Sequence, residues 1–410
     1  MLKKKSKLPF ITVLIRDAFF CASFIYLMLQ AIQLVPLNSA WFQPASNAFK
    51  DFDWSDIYFS KIKHLNNSSV QNQNIVVINI ENATRAEIAA TLLKLNNVDV
   101  KVIGLDVLFR ESKDSISDAL LDSSIVLFGR KIVVACYADS TDGNKIYSIQ
   151  PAHVPKAKNT NHLGYVNFIG NENETVRAFY ETQSYKKEKI GSFALNTFLK
   201  YHNQQDFSTA NDHLKSDKII IPYQSKSEHY TTFSYHEIVD STINFEILRT
   251  KIVLIGYGGS SDGSTVIDDK HFTPLNENYA GKALPDMFGI YIHANIIEAY
   301  INNYTIFTPP RFLQILVCIV VICLFLILYL YWEREGSVWQ NIIEIILQLL
   351  FGFVILMLAI YFLSSNGIKW DIGEMIAAVA LAEALVGVYK VIIYYLSKVY
   401  NFKSIFKNED

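Results

Sequence analysis

The sequence predicts an α/β domain on a mainly parallel sheet flanked by helices, with an antiparallel hairpin insertion, joined to four transmembrane α-helices. Three observations predict this. Short apolar runs rich in β-branched residues recur with helical stretches between them: "NIVVINI" (74–80), "VKVIGLDVLF" (100–109) and "KIVVACYA" (131–138). Strand and helix alternating at this spacing imply right-handed crossovers and a parallel sheet. Four apolar segments, 18–35, 312–332, 342–363 and 372–396, approach or exceed the ~20 residues that cross a bilayer. Finally, the stretch between the first and second of them is long enough to bury its own core.

The apolar segments divide the chain. Lys3, Lys4, Lys5, Lys7 and Arg16 precede segment 18–35. That segment exceeds the ~7–15 apolar residues of a cleaved signal, and "VPLNSAW" (35–41) fits a small-x-small cleavage site poorly, so it reads as an uncleaved anchor. Tyr329, Tyr331, Trp332, Trp339, Tyr361 and Trp370 lie near segment ends, where amphipathic rings prefer the interface. Four spans place both termini on one side. The basic N-terminus (1–17) and a tail (397–410) bearing Lys398, Lys403 and Lys407 make that side the cytoplasm by the positive-inside rule. Residues 38–310 are then extracytoplasmic, and 312–396 form a three-helix bundle. The only extracytoplasmic cysteine is Cys136, so no disulfide forms within that domain, which rests on its core.

The outer segment opens with a polar stretch holding Phe49, Phe52, Trp54, Tyr58 and Phe59, which face the bilayer surface or pack under the domain. After the first strand, Thr84 and Glu87 match a capping box, and Ile88, Leu92 and Leu95 form the stripe of the helix that follows. Residues 115–128 are a second helix. "HLGYVNF" (162–168) and "TVRAFYETQSY" (175–185), joined by "IGNENE", predict a hairpin. Helix 192–202 and strands 218–223 and 228–235 follow. Ser234 and Glu237 predict another capped helix running towards Leu248. "KIVLIG" (251–256) returns as a buried strand. Residues 289–303 are a helix, with Pro309 and Pro310 beyond it.

Candidate chemistry is sparse. With 37 Lys+Arg against 39 Asp+Glu the charges nearly balance, which gives no argument for nucleic acid. The glycine turn Gly256, Gly258, Gly259 and Gly263 fits neither the P-loop nor G-x-G-x-x-G, and reads as a structural turn at the carboxyl end of a parallel strand, where open α/β sheets place ligands. Asp106, inside an apolar run, needs a partner or lines a pocket. His293 shares a helical stripe with Ile290, Ala294, Ile297 and Ile301 and points at the core; Asn295, Glu298 and Asn302 fall on the other side. No H-x-x-x-H, H-E-x-x-H or G-x-S-x-G spacing exists, so neither a metal site, a cofactor nor an enzyme is predicted. Glu344 and Glu383 are intramembrane carboxylates, which are costly and by default face a bundle interior with a coupling role. Ala378, Ala380, Ala382, Ala384 and Gly387 permit close helix approach beside Glu383.

Taken in order, "NIVVINIENATRAEI" (74–88), "VIGLDVLF" (102–109), "LGYVNF…ETVRAFY" (163–180), "GSFALN" (191–196), "KIVLIGYGGSSDG" (251–263), "FTPL" (272–275) and "GIYIHANIIEAYI" (289–301) resemble the CHASE2 family of extracytoplasmic sensory domains. The resemblance covers essentially the whole outer domain, and a single anchor before it and three spans after it match the family's layout. It implies a bacterial receptor that reports external conditions to a cytoplasmic output. By position the motif residues are Asp106, Asn167, Arg177, Gly256, Asp262, Thr273, Pro274, Gly289, His293 and Asn295. Of these, Asp106, Asn167, Arg177, Asp262, His293 and Asn295 are the candidate pocket for an unknown ligand. Asn79 and Glu81, and "NENET" before Arg177, depart from the family pattern. The fourteen residues after Leu396 are too few for a folded output unit. The expectation is therefore a receptor subunit that signals to a cytoplasmic effector in trans and can form a homo-oligomer. The alternative is a membrane scaffold whose outer domain docks another protein.

Overall fold

The computed structural model describes residues 7–34, 53–63, 72–142, 145–150, 162–169, 174–185, 188–203, 218–260, 270–277, 284–333, 339–400 and 404–406. The chain divides into two compact units, Ser46–Ile306 and a second that joins Met1–Ala45 to Phe307–Asp410.

Helix α1 (Lys7–Leu34) belongs to the second unit. The first begins with α2 (Trp54–Ile57), continued by a π-helical turn over Tyr58–Ile62. Tyr58 and Phe59 are buried, which settles those two aromatics under the domain; Phe49 and Phe52 lie outside the described residues. Strand β1 (Ile75–Asn79) leads into α3 (Arg85–Asn96), whose capping box forms as the Thr84 and Glu87 spacing predicts. Then come β2 (Val102–Asp106), α4 (Ser115–Phe128) capped by Asp114, and the long β3 (Ile132–Asp142). The middle holds β4 (Lys145–Gln150), β5 (Leu163–Tyr165), β6 (Ala178–Tyr180), β7 (Thr182–Tyr185), β8 (Glu188–Gly191), α5 (Phe193–Tyr201) and β9 (Lys218–Ile220). The unit closes with β10 (Thr231–Ser234), α6 (Tyr235–Val239), β11 (Ile252–Gly256), β12 (Lys270–His271), β13 (Met287–Phe288) and α7 (Gly289–Ile301).

Among the described residues, six strands run parallel in the order β10-β1-β11-β2-β3-β5. The distal half of β3 pairs antiparallel with β4, and β7 and β8 extend that edge. Helices α3, α4 and α6 cover one face of the parallel sheet. Ile88, Leu92, Leu121, Ile125 and Ile238 there meet Val76, Ile78, Ile103, Leu105 and Ile255. Helices α5 and α7 cover the other. Burial on both faces explains why β1, β2 and β11 read as continuous apolar runs with no alternation. Gly104 and Gly164 let α5 settle close: a Cβ on Gly164 would stand 2.5 Å from the Phe193 backbone.

Two expectations change. Segments 162–168 and 175–185 are not a hairpin. β5 pairs parallel with β3 and β6 pairs antiparallel with β9; the two segments are linked by the Ile169–Ala178 bridge and by the Tyr165 hydroxyl donating to Tyr180 O, with no ladder between them among the described residues. The antiparallel elements are instead β3–β4, β7–β8, β6–β9 and β12–β13. The helix begun at Ser234 lasts only to Val239, and Phe245–Leu248 is a separate 3-10 turn.

In the second unit, α8 (Arg311–Glu333), α9 (Gln340–Asn366), α10 (Gly373–Ala380) and α11 (Ala382–Tyr400) join α1. Ile11–Ile32, Arg311–Glu333 and Asn341–Asn366 are each long and apolar enough to cross a membrane. The fourth predicted span is bent by 64° between α10 and α11, so three to four spans are available. Leu381 closes α10 and opens α11, its N–H donating to Ala377 O at 3.0 Å and its carbonyl accepting from Leu385 N–H at 3.1 Å. Polar groups of this unit pair with one another: Arg311 Nη2 with Glu374 Oε1 at 2.5 Å, Gln30 Nε2 with Glu374 at 3.2 Å, and Lys390 with Glu333.

Candidate functional site

The carboxyl ends of three central strands stand in register, Asn79 beside Gly256 and Gly256 beside Asp106. This edge holds the glycine turn. Asn79 Oδ1 accepts the Gly258 amide at 2.8 Å and the Glu81 amide at 3.1 Å, and its Nδ2 donates to Gly259 O at 2.7 Å. Gly259 has φ +113°, and Phe288 lies where its Cβ would be, at 2.9 Å. A Cβ on Gly256 would meet Ile290 Cδ1 at 2.8 Å and Asp106 O at 3.0 Å. The turn is glycine-rich because α7 and β13 press on it while Asn79 holds its backbone. It is built for close packing. Asp106 is half-buried at the edge of this contact. Asp262 and Gly263 lie outside the described residues.

Helix α7 supplies the next two candidates. Every residue from Ile290 to Ala299 is buried. The predicted polar side, with Asn295 and Glu298, is therefore as enclosed as the apolar one, because the strand connections pack over it. Asn295 Oδ1 accepts the amides of Gln224 and Ser225 at 2.8 and 2.9 Å, and Nδ2 donates to Ser225 O at 2.9 Å and Tyr291 O at 3.0 Å. It fastens segment 224–225 to the helix. Glu298 accepts from the Tyr230 hydroxyl at 2.6 Å. Near it, Lys63 donates to Tyr223 O at 2.5 Å and lies 5.5 and 5.3 Å from the Phe59 and Tyr304 ring centres. Burial pulls its ammonium down to about 8, against the opposing pull of Glu298.

His293 lies in an aromatic slot, its ring centre 4.7 Å from that of Phe168 and 5.1 Å from that of Phe193. Its Nδ1 has no hydrogen-bond partner. Burial, with the neighbouring His271, lowers its pKa to about 3, so the ring is neutral in the folded unit. Two residues after His271, Thr273 donates from its backbone amide and its hydroxyl to Asp286 at 2.8 and 2.5 Å; burial raises the Asp286 carboxyl, opposed by these bonds.

The other two candidates lie elsewhere. Asn167 imitates a strand residue: its Oδ1 accepts the Ala138 amide at 2.8 Å and its Nδ2 donates to Ala138 O at 3.0 Å. Arg177 forks onto Asp56, Nε to Oδ1 at 2.9 Å and Nη2 to Oδ2 at 2.6 Å. The Asp56 side chain is 3% exposed, and burial raises its pKa against the pull of Arg177. Sequence reasoning missed Asp56 and Lys63. The "DWSD" run (53–56) carried a signal, since Asp53 caps α2 and Asp56 closes a capping box. Asn167, Arg177 and Asn295 are thus spent on internal bonds, while His293, Thr273 and the glycine turn gather around the start of α7.

Of the two carboxylates predicted to couple, both in candidate membrane helices, Glu344 is buried. Glu383 is not in the bundle interior: it is exposed in the first turn of α11, because the bend at Leu381 turns that position outward. Among the described residues no group of three or more His, Cys, Asp and Glu is placed to hold a metal.

A mainly parallel α/β unit in a chain that also holds apolar helices of bilayer-crossing length defines a membrane-associated α/β domain protein. The model of the CHASE2 domain matches residues 32–329, and the chain belongs to the CHASE2 family. Comparison with the curated proteins and with the solved structures found no match.

Proposed function

We propose that the chain is a multi-pass receptor subunit of the plasma (inner) membrane. Its α/β unit stands outside the cytoplasm, both termini lie inside, and it passes an external cue to a separate cytoplasmic effector protein. The observation that carries this reading is the extent of the family match, which begins within α1 and ends within α8. The match therefore takes in the whole α/β unit, the last three residues of α1 and most of α8. In the second unit α1 packs along α8. A cue that shifts one end of the α/β unit against the other would be felt as a shift of α1 against α8, a two-state change biased by whatever binds one state better. Glu344 and Glu383 are the coupling carboxylates of this proposal.

The test is purification from native membranes with identification of what accompanies the chain. A cytoplasmic effector is expected, and its activity should change in Glu383→Gln while membrane insertion does not. A chain that purifies alone, or an effector indifferent to the substitution, overturns the relay.

A further inference from the structure

Polar groups hold α1 at two places within its own unit. Near its carboxyl end, Gln30 donates to Glu374 on α10 at 3.2 Å, and Arg311 at the start of α8 shares that carboxylate. From Gln30 back to Asp17 is about 20 Å along a helix. Asp17 is 5% exposed, and a carboxylate so enclosed is costly unless its oxygens are used. Oδ1 takes Arg16, Nε at 2.9 Å and Nη2 at 2.6 Å. Oδ2 takes two groups from beyond α11, the Ser404 hydroxyl and the Ile405 amide, each at 2.8 Å.

The Ser404 oxygen that donates to Asp17 also accepts the Phe406 amide at 3.2 Å, so the acid shapes this turn as well as holding it. Phe406 is buried, its ring centre 5.2 Å from that of Tyr389 on α11, which in turn lies 5.4 Å from that of Phe24 on α1. The seat of residues 404–406 is therefore built by α1 and α11 together and depends on their relative position. Arg16 fixes the Asp17 side chain, so the carboxylate travels with its helix. Helix shifts at packed interfaces run to about 1–2 Å. From 2.8 Å, a slide of about 1 Å ends both bonds, since contacts of roughly 3.6 Å are no longer hydrogen bonds. Their shared acceptor makes them fail together. We propose that segment 404–406 is a releasable latch on α1, seated through Asp17 and freed when α1 slides. As a device it rests on the relay proposed above. It is the place where a displacement of α1 becomes a freed segment for the cytoplasmic effector to meet.

The test is tryptic cleavage of the full chain in detergent, read at Lys403 and Lys407, which flank the segment in sequence. Detergent opens every face to the protease, so the result does not depend on which side of a membrane the segment occupies. Cleavage there needs the segment unseated, and its rate follows the freed population. Ser404→Ala and Phe406→Ala, which lie outside the helices, should each raise the rate about tenfold, equivalent to ~1.4 kcal/mol, as should Asp17→Asn. Glu374→Gln, at the Gln30 end of α1, should raise it too, and adding it to Asp17→Asn should give no more than Asp17→Asn alone. A contact that is merely local would not answer to Glu374, and a general loosening would add to Asp17→Asn. Natural rates in Ser404→Ala and Phe406→Ala overturn the seat. A natural rate in Glu374→Gln, or an additive double variant, overturns the coupling to α1. Because the readout is the chain itself, failure of the relay is seen separately, in what purifies with the chain.

Discussion

His293 shows what one enclosed side chain does to the stability of the fold. Its ring is held neutral, with a pKa near 3 in the folded unit against 6.5 when free. Between those values the unfolded chain binds a proton that the folded chain refuses, so stability rises with pH across the window and is lost as pH falls below 6.5. The slope from this group is at most about 1.4 kcal/mol per pH unit. Asp56, Glu181 and Asp286 act in the opposite sense, since burial raises each of them and the folded state holds their protons more tightly. The comparison that isolates the histidine is therefore natural chain against His293→Phe, which keeps an aromatic ring between Phe168 and Phe193. Denaturant unfolding of the two, measured from pH 7 to 4, should diverge, with the variant losing less stability on acidification. Parallel curves would show that the imidazole is not enclosed.

At the scale of elements, α2 is tied down by a buried fork. Arg177 and Asp56 join it to the stretch leading into β6, with Asp56 nearly sealed from water. Removing one partner of a buried pair costs about 3–5 kcal/mol because the other charge is stranded, whereas replacing both with apolar groups restores most of it. Arg177→Met should thus destabilise the α/β unit strongly, and adding Asp56→Leu should recover much of the loss, read as denaturant midpoints of the full chain in detergent. Equal stability of the single variant and the natural chain would mean the fork contributes nothing. Such a contact also marks where sequence reasoning stops. Caps and core strands were legible because their causes are local: Thr84 and Glu87 stand three apart, and β1, β2 and β11 are unbroken apolar runs. Strand partners are set at long range, so segments 162–168 and 175–185 looked like a hairpin while each paired elsewhere. The polar side of α7 misled for the same reason. Helical periodicity separates Asn295 from Ile297, but only the tertiary fold buries both. Of the candidate site, the role of the glycine turn was legible as structural, whereas the Asn79 clasp that holds it came from a residue read only as a departure from the family pattern.

For the whole molecule, the proposed topology makes a direct prediction. Protease added to intact spheroplasts should cut within 40–310, and added to inverted vesicles should leave that stretch untouched. The reverse pattern would put the α/β unit on the cytoplasmic side. The order of strands has a different bearing, on how such a chain is born. β11 lies between β1 and β2 yet is made long after both, as residues 252–256 against 75–79 and 102–106. Until β11 is made, β1 and β2 have no strand between them, and each offers an unsatisfied edge. Closure of the sheet waits for nearly the last part of the unit to arrive, so maturation is governed by a late, long-range insertion and is slow compared with assembly from adjacent pieces.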